Sequence, residues 1–165
     1  MNVGMRVYLD TNIFIYTFEE VGNIGSLLSR CITAGQRSGA RFVTSELTLS
    51  ELLVKPHRDG NHALIDRYEA LIQTNNWLEV QPVGRPVLAY AAALRARNKG
   101  LKLPDAVHFA TAVAGDCSYF LTGDNGILES YDLHPAFGIP DNSASLQIIR
   151  PDEATLTALL EDLTP

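Results

Sequence analysis

Sulfur and tryptophan are scarce in this chain, whose 165 residues include two cysteines, two methionines and one tryptophan. Cys31 and Cys117 are too few and too isolated for a disulfide framework or a cysteine-based zinc site, and the simplest compartment is a reducing cytoplasm. No apolar run approaches the roughly 18 residues of a membrane span, so no membrane association is expected. The stretch Met1–Arg6 lacks the basic and apolar regions of a secretory signal, and either Met1 or Met5 serves as a start ahead of a strand beginning near Arg6. Internal repeats and low-complexity segments are absent. Positive charge is also in short supply: 13 Lys and Arg against 19 Asp and Glu leave a net charge of −6, which argues against a broadly basic, polyanion-binding surface.

What remains is the composition of one globular domain over residues 1–165. Apolar residues make up 46% and charged residues 19%, enough to build a core without staples. The pattern alternates between strands and helices. Strands are predicted at Arg6–Asp10, Arg41–Ser45, Trp77–Val80, Tyr119–Thr122 and Leu146–Ile149, each short, apolar and β-branched or aromatic. Helices are predicted over Ile13–Phe18, from a cap at Asn23 toward Gln36, over Leu47–Val54 with Pro56 as its stop, and over Ala63–Ile72. Others run from Pro86 to Asn98, from Pro104 to about Ala114, and over Asp152–Leu163. Two prolines, a glycine and an Asp-Asn pair make 131–145 an extended surface loop. Strands alternating with helices of this length imply a three-layer α/β/α domain with a mostly parallel central sheet.

Four acids stand where an acid is costly. Asp10 ends the run Val7-Tyr8-Leu9, Glu51 lies within Leu49-Ser50-Glu51-Leu52-Leu53-Val54, Asp105 opens Ala106-Val107-His108-Phe109-Ala110, and Asp124 follows Tyr119-Phe120-Leu121-Thr122-Gly123. An unpaired carboxylate withdrawn from water costs several kcal/mol, and no Lys or Arg adjoins Asp10, Glu51 or Asp124. In an open α/β sheet the carboxyl ends of the strands form the ligand crevice. Two acids at strand ends and two at or near the first turns of helices are expected to converge there. Their mutual repulsion then requires a cation, and an all-oxygen donor set without His or Cys suits Mg2+ or Mn2+. With those four charges neutralised the remaining net charge is −2. Arg95, Arg97, Lys99 and Lys102 cluster ahead of Asp105, and Lys55 follows Glu51. These are either contacts for nucleic-acid phosphates or solvated helix ends complementing helix dipoles.

Each acid also has a local alternative. Asp10-Thr11-Asn12 is a capping turn, Thr48-Leu49-Ser50-Glu51 matches a capping box, Asp105 after Pro104 is an ordinary first-turn acid, and Gly123-Asp124-Asn125-Gly126 is a competent turn. His108, three residues after Asp105 among apolar neighbours, reads as a satisfied core histidine. Two other phosphoryl chemistries fail on specific residues. An aspartyl-phosphate phosphatase using Asp10 needs a second Asp where Asn12 stands, and a receiver domain needs a late Lys, yet none follows Lys102.

Taken in order, the segments Leu9-Asp10-Thr11-Asn12-Ile13-Phe14-Ile15, Ser50-Glu51-Leu52-Leu53-Val54-Lys55-Pro56, Leu103-Pro104-Asp105-Ala106-Val107-His108-Phe109-Ala110-Thr111-Ala112 and Leu121-Thr122-Gly123-Asp124 resemble the motifs of PIN domains, especially the VapC-type toxin ribonucleases. The resemblance covers residues 6 to about 128. It departs at Gly123, where Asn or Arg is common, and in the long 131–145 segment. It implies a metal-dependent endoribonuclease that hydrolyses RNA to a 5′-phosphate and a 3′-hydroxyl. Asp10, Asp105 and Asp124 would be metal ligands, directly or through water. Glu51 would bind metal or orient the attacking water, with Thr11, Asn12, Ser50 and Thr122 as supporting donors. It further implies a cognate antitoxin as partner and a homodimer. The contrasting expectation is a non-catalytic PIN-like module that binds RNA or protein.

Overall fold

A computed structural model describes residues 4–19, 22–131 and 146–164, and the 131–145 loop expectation therefore falls almost wholly outside the described residues. The elements run β1 (Arg6–Leu9), α1 (Thr11–Phe18), α2 (Asn23–Ser38), β2 (Arg41–Ser45), α3 (Glu46–Asp59), α4 (His62–Leu71), β3 (Leu78–Gln81), α5 (Arg85–Arg97), α6 (Leu103–Ala114), β4 (Tyr119–Leu121), β5 (Gln147–Ile149) and α7 (Glu153–Leu163). The five strands form one sheet in the order β3-β2-β1-β4-β5, every pair parallel. Chain order runs outward from β1 in one direction through β2 and β3, and in the other through β4 and β5. The strand order therefore reverses between β1 and β4, and a crevice opens at their carboxyl ends.

Strand periodicity sorts the core into two layers. Val7 and Leu9 face one side with Phe42 and Leu121, packing on Phe14 of α1, Leu28 of α2, Tyr68 of α4 and Leu156 of α7. Tyr8 and Val43 face the other side with Phe120, against Tyr90 and Leu94 of α5 and Phe109 of α6. On that second side Tyr8, Phe120 and Phe109 form a continuous stack, with centroid spacings of 5.0 and 4.5 Å. Such pairs add about 0.5–1.5 kcal/mol each beyond the area they bury. Helix α6 is buried from Ala106 through Val113, and the apolar residues on all its sides match that position. It is the rigid rod on which Asp105 and His108 are mounted.

Three local expectations are corrected. Helix α3 begins at Glu46, capped by the Ser45 side chain, so Thr48 and Glu51 do not form a capping box and Glu51 lies in the second turn. Thr48 instead is buried and shares a 2.8 Å hydrogen bond with Thr44. Pro56 does not stop this helix. Its ring is buried, only one donor is forgone, and the helix continues to Asp59 and closes on Gly60 at φ 65°. Asn23 is the first helical residue of α2, whose cap is Gly22.

Candidate active site

Asp10 leaves β1 at the switch point. Its backbone N–H donates to the Leu121 carbonyl at 3.1 Å, one step beyond the β1–β4 ladder, while its side chain caps α1. The carboxylate is 6% exposed and has three donors: the Thr11 N–H at 2.8 Å on Oδ1, and the Thr122 hydroxyl at 2.6 Å and the Asn12 amide at 3.1 Å on Oδ2. Asn12 Oδ1 in turn accepts the Gly123 N–H at 2.8 Å, and the Thr122 oxygen accepts the Asp124 N–H at 3.0 Å. The Asp-Thr-Asn run is thus both the cap and the tie that fastens the 122–124 turn to β1. Charge-assisted bonds of this kind are the stronger class and hold the carboxylate in one orientation.

Gly123 packs closely against Tyr16. A Cβ there would lie 2.6 Å from the Tyr16 ring and 2.7 Å from its hydroxyl oxygen. Gly123→Ala is therefore expected to cost about 1–3 kcal/mol through overpacking. Denaturant unfolding would measure the loss, and a smaller loss is expected in a Tyr16→Leu background.

Glu51 is half-buried and held by two donors on Oε2, the Thr11 hydroxyl in a short hydrogen bond and His108 Nε2 at 2.9 Å. An ionised carboxylate only accepts, so Nε2 carries the proton. Nδ1 shares a 2.7 Å hydrogen bond with the Tyr8 hydroxyl, accepting from it whenever the ring is neutral. Tyr8 and His108 are both buried, and burial, followed by the Asp10 charge, pushes the Tyr8 hydroxyl well above its usual value and keeps its proton. Burial pushes the Glu51 carboxyl up. The hydrogen bond and charge of His108 and the Thr11 hydroxyl together outweigh it, and the net shift is downward. The same Nε2 lies 3.9 Å from Asp10 Oδ1, so Glu51 and Asp10 meet at one imidazole nitrogen. His108 is indeed buried and satisfied, but its partner is one of the four acids.

Asp105 occupies the first turn of α6, as expected, and is half-buried. Burial raises its carboxyl pKa, the negative charges of Asp124 and Asp10 raise it further, and His108 and Lys102 offset only part of this. Asp124 is exposed on the turn after β4, with Oδ1 accepting the Gly126 N–H at 2.7 Å. Arg150, at the end of β5, clamps that turn by donating to the carbonyls of Asp124, at 2.6 Å, and of Ile127. The fold thus sets Asp10, Asp105 and Asp124 within reach of one another's charge. Among the described residues, however, no three His, Cys, Asp or Glu side chains close around a single point as a ready-made metal cage.

The supporting residues divide. Thr11, Asn12 and Thr122 bond the acids directly, whereas Ser50 is exposed and forms no hydrogen bond with any of them among the described residues. Tyr8, His108 and Arg150 join the site only through tertiary contacts. Of the cations, Lys55 pairs with Asp59 at 2.6 Å and Arg95 donates to the Leu101 carbonyl at 3.1 Å. Arg97 is exposed but engaged, while Lys99 and Lys102 are exposed and form no salt bridge among the described residues.

The family model of the PIN domain matches residues 7–132. No curated protein matches the chain by sequence. Among solved structures, the chain is similar to VapBC2 from Rickettsia felis, bound to a DNA fragment from its promoter, with 15% identity, a TM-score of 0.63 and coverage of 88% of this chain and 98% of that one. A toxin-antitoxin complex from Klebsiella pneumoniae shares 20% identity at a TM-score of 0.58, covering 89% and 98%. FitAcB from Neisseria gonorrhoeae shares 17% identity at 0.57, covering 88% and 97%. At these identities the likeness is one of fold.

Proposed function

The chain belongs to the PIN-domain family, and on that premise we propose that it is a divalent-metal-dependent endoribonuclease acting as the toxin of a type II toxin-antitoxin pair. The observation that carries this reading is Asp105, a half-buried carboxylate with no hydrogen-bond donor among the described residues, pressed by burial and by two neighbouring acids. Such a site favours a cation. The open spacing of the acids fits Mg2+, or Mn2+, which retains several waters and is held through one or two carboxylates rather than a closed cage. Asp10, Asp105 and Asp124 would hold it, directly or through water, with Glu51 beside them. When bound, the ion polarises the scissile phosphate and makes a water more acidic.

The chain's own residues then have distinct tasks. Asp10 is fixed by its three donors, so little reorganisation accompanies loading of the site. The Thr122 hydroxyl and the Asn12 amide keep the Asp124 turn in register with Asp10. Glu51 has Oε2 committed to Thr11 and His108, and among the described residues Oε1 is left to accept a hydrogen from the attacking water. Hydrolysis leaves a 5′-phosphate and a 3′-hydroxyl. The toxin role is supported by the kind of assembly in which the similar folds were solved. It brings with it an antitoxin partner, a homodimer and a cytoplasmic location. Among the described residues no helix is long and apolar enough to cross a membrane.

The test is cleavage of single-stranded RNA by purified protein, with and without chelator. Activity is expected with Mg2+ or Mn2+ and is expected to vanish on chelation. Chelator-insensitive cleavage would overturn the metal reading, and no cleavage under any metal would favour the non-catalytic binding module. A short antitoxin-like reading frame adjoining the gene would support the toxin assignment.

A further inference from the structure

The turn that carries Asp124 has a cavity on each side. One, of about 330 Å3, is lined by Tyr16, Gly123, Arg150 and Asp152 among others. Its charged groups are committed, Arg150 to the Asp124 and Ile127 carbonyls and Asp152 to the Thr155 N–H and hydroxyl. The other, of about 320 Å3, lies between the α5–α6 loop and the 126–131 segment. Its character is different. Leu101, Leu128 and Tyr131 supply apolar walls, and Lys99 supplies a cation with no salt bridge among the described residues.

We infer that this second cavity receives one unstacked base of the RNA strand, next to the phosphate presented to the acids. The inference rests on the nuclease reading above and adds a specificity site to it. Continuity with the acids is direct: Gly126 lines the cavity and donates its N–H to Asp124 Oδ1 at 2.7 Å. The Tyr131 ring is fixed in advance. Its edge meets Phe109 at 4.8 Å, and its hydroxyl accepts the Leu128 N–H at 2.9 Å. The volume sits at the lower end of small-ligand clefts, roughly 300–1,000 Å3, which suits a single base better than a helix.

The rim supports the same occupant. Leu128, which lines the cavity, is 61% exposed, one of the four large apolar side chains left open among the described residues. It is available to the apolar face that every base offers. Lys99 lines the cavity, and Lys102 lies close enough to bear on Asp105, so in a chain of net charge −6 two unpaired cations lie where the strand's phosphates would pass. Gly100 leaves the mouth without a side chain and holds φ at 91°.

The experiment uses full-length protein carrying Asp10→Asn and single-stranded RNA oligonucleotides with one 4-thiouridine or 6-thioguanosine stepped along the strand. After irradiation, adducts are mapped by mass spectrometry. They are expected within residues 98–101 or 126–131, for one or two adjacent probe positions, and to fall about 10-fold with Leu128→Ala, an exposed and uncharged change that leaves folding intact. In the otherwise unaltered enzyme, Leu128→Ala should raise KM for RNA by a similar factor and have a much smaller effect on bis(p-nitrophenyl) phosphate, a phosphodiester without a base. Adducts confined to Tyr16 or residues 150–152, or insensitivity of both crosslinking and KM to Leu128→Ala, would overturn the base site and leave this face to a protein partner or to none. Failure to hydrolyse either substrate would instead remove the nuclease reading, and the adduct map would still report whether a base enters the cavity.

Discussion

Asp105→Asn is expected to cut RNA cleavage by roughly 10²–10³-fold while making the metal-free protein slightly more stable at neutral pH. The activity loss follows from removing one of the acids that would hold the cation. A fall of roughly 10²–10³-fold is the scale for deleting one preorganised electrostatic group. The stability gain follows from the sign of the Asp105 shift. Burial comes first, then Asp124 and Asp10, and together they raise this carboxyl above its ordinary value, so the folded state binds the proton more tightly than the unfolded chain. The group's contribution to stability is then fully present below the unfolded pKa and lost as pH rises through the folded one. At pH 7 the penalty is complete, and the neutral amide removes it.

Two effects oppose the gain and limit its size. An acid in the first helical turn gains about 0.3–1 kcal/mol from the helix dipole, and a half-exposed carboxyl is screened by solvent. Burial and the repulsion of Asp124 and Asp10 act against the dipole. The net gain is nevertheless about 1 kcal/mol at most, or roughly 2–4 °C in Tm for a chain of this size. Thermal unfolding in chelator should rank Asp105→Asn above the parent near pH 7, and the two should converge in acid. Saturating Mg2+ should reverse the ranking, because only the parent binds the ion strongly and gains stability by mass action. Equal cleavage by parent and variant would remove Asp105 from the site.

How much of this was legible before folding depends on whether the signal was local. The strand runs and the Pro-led helices α5 and α6 were readable because their cues lie within one element. So was the capping turn at Asp10-Thr11-Asn12, where the Thr11 N–H and the Asn12 amide both reach the Asp10 carboxylate. The capping box at Thr48 failed because Ser45 offers an equally good cap three residues earlier, and a buried Thr44–Thr48 pair claims the second hydroxyl. The helical stop at Pro56 failed because the ring's burial offsets one missing hydrogen bond. Arg150 carried no local sign at all, since its partners are the carbonyls of a turn 23–26 residues earlier in the chain. The Tyr8–His108–Glu51 chain depends on β1, α3 and α6 meeting across 100 and 57 residues. A histidine among apolar residues reads as core, and nothing in its neighbours names the acid it will face.

That chain carries the largest expected effect on folding. His108→Leu keeps the apolar volume but takes a hydrogen-bond partner from two groups at once, the buried Tyr8 hydroxyl and the half-buried Glu51 carboxylate. Depriving a buried donor or acceptor of its partner costs about 1–3 kcal/mol per group. With two groups affected, and Glu51 retaining the Thr11 hydroxyl and some solvent, a total of about 3 kcal/mol is expected. The loss should depend on pH in a defined direction. The bonds from His108 and Thr11 hold the Glu51 carboxyl below its ordinary value despite burial. Their contribution is therefore present above the unfolded pKa and disappears as pH falls through the folded one. Urea unfolding should show the full deficit of His108→Leu near pH 7 and a smaller one below pH ~4, around the ordinary Glu pKa. Tyr8→Phe, which orphans only the imidazole Nδ1, should cost about 1–3 kcal/mol. The double variant should fall short of the sum, since both changes dismantle one network. A pH-independent deficit would mean that His108 serves the core by shape alone and does not hold Glu51.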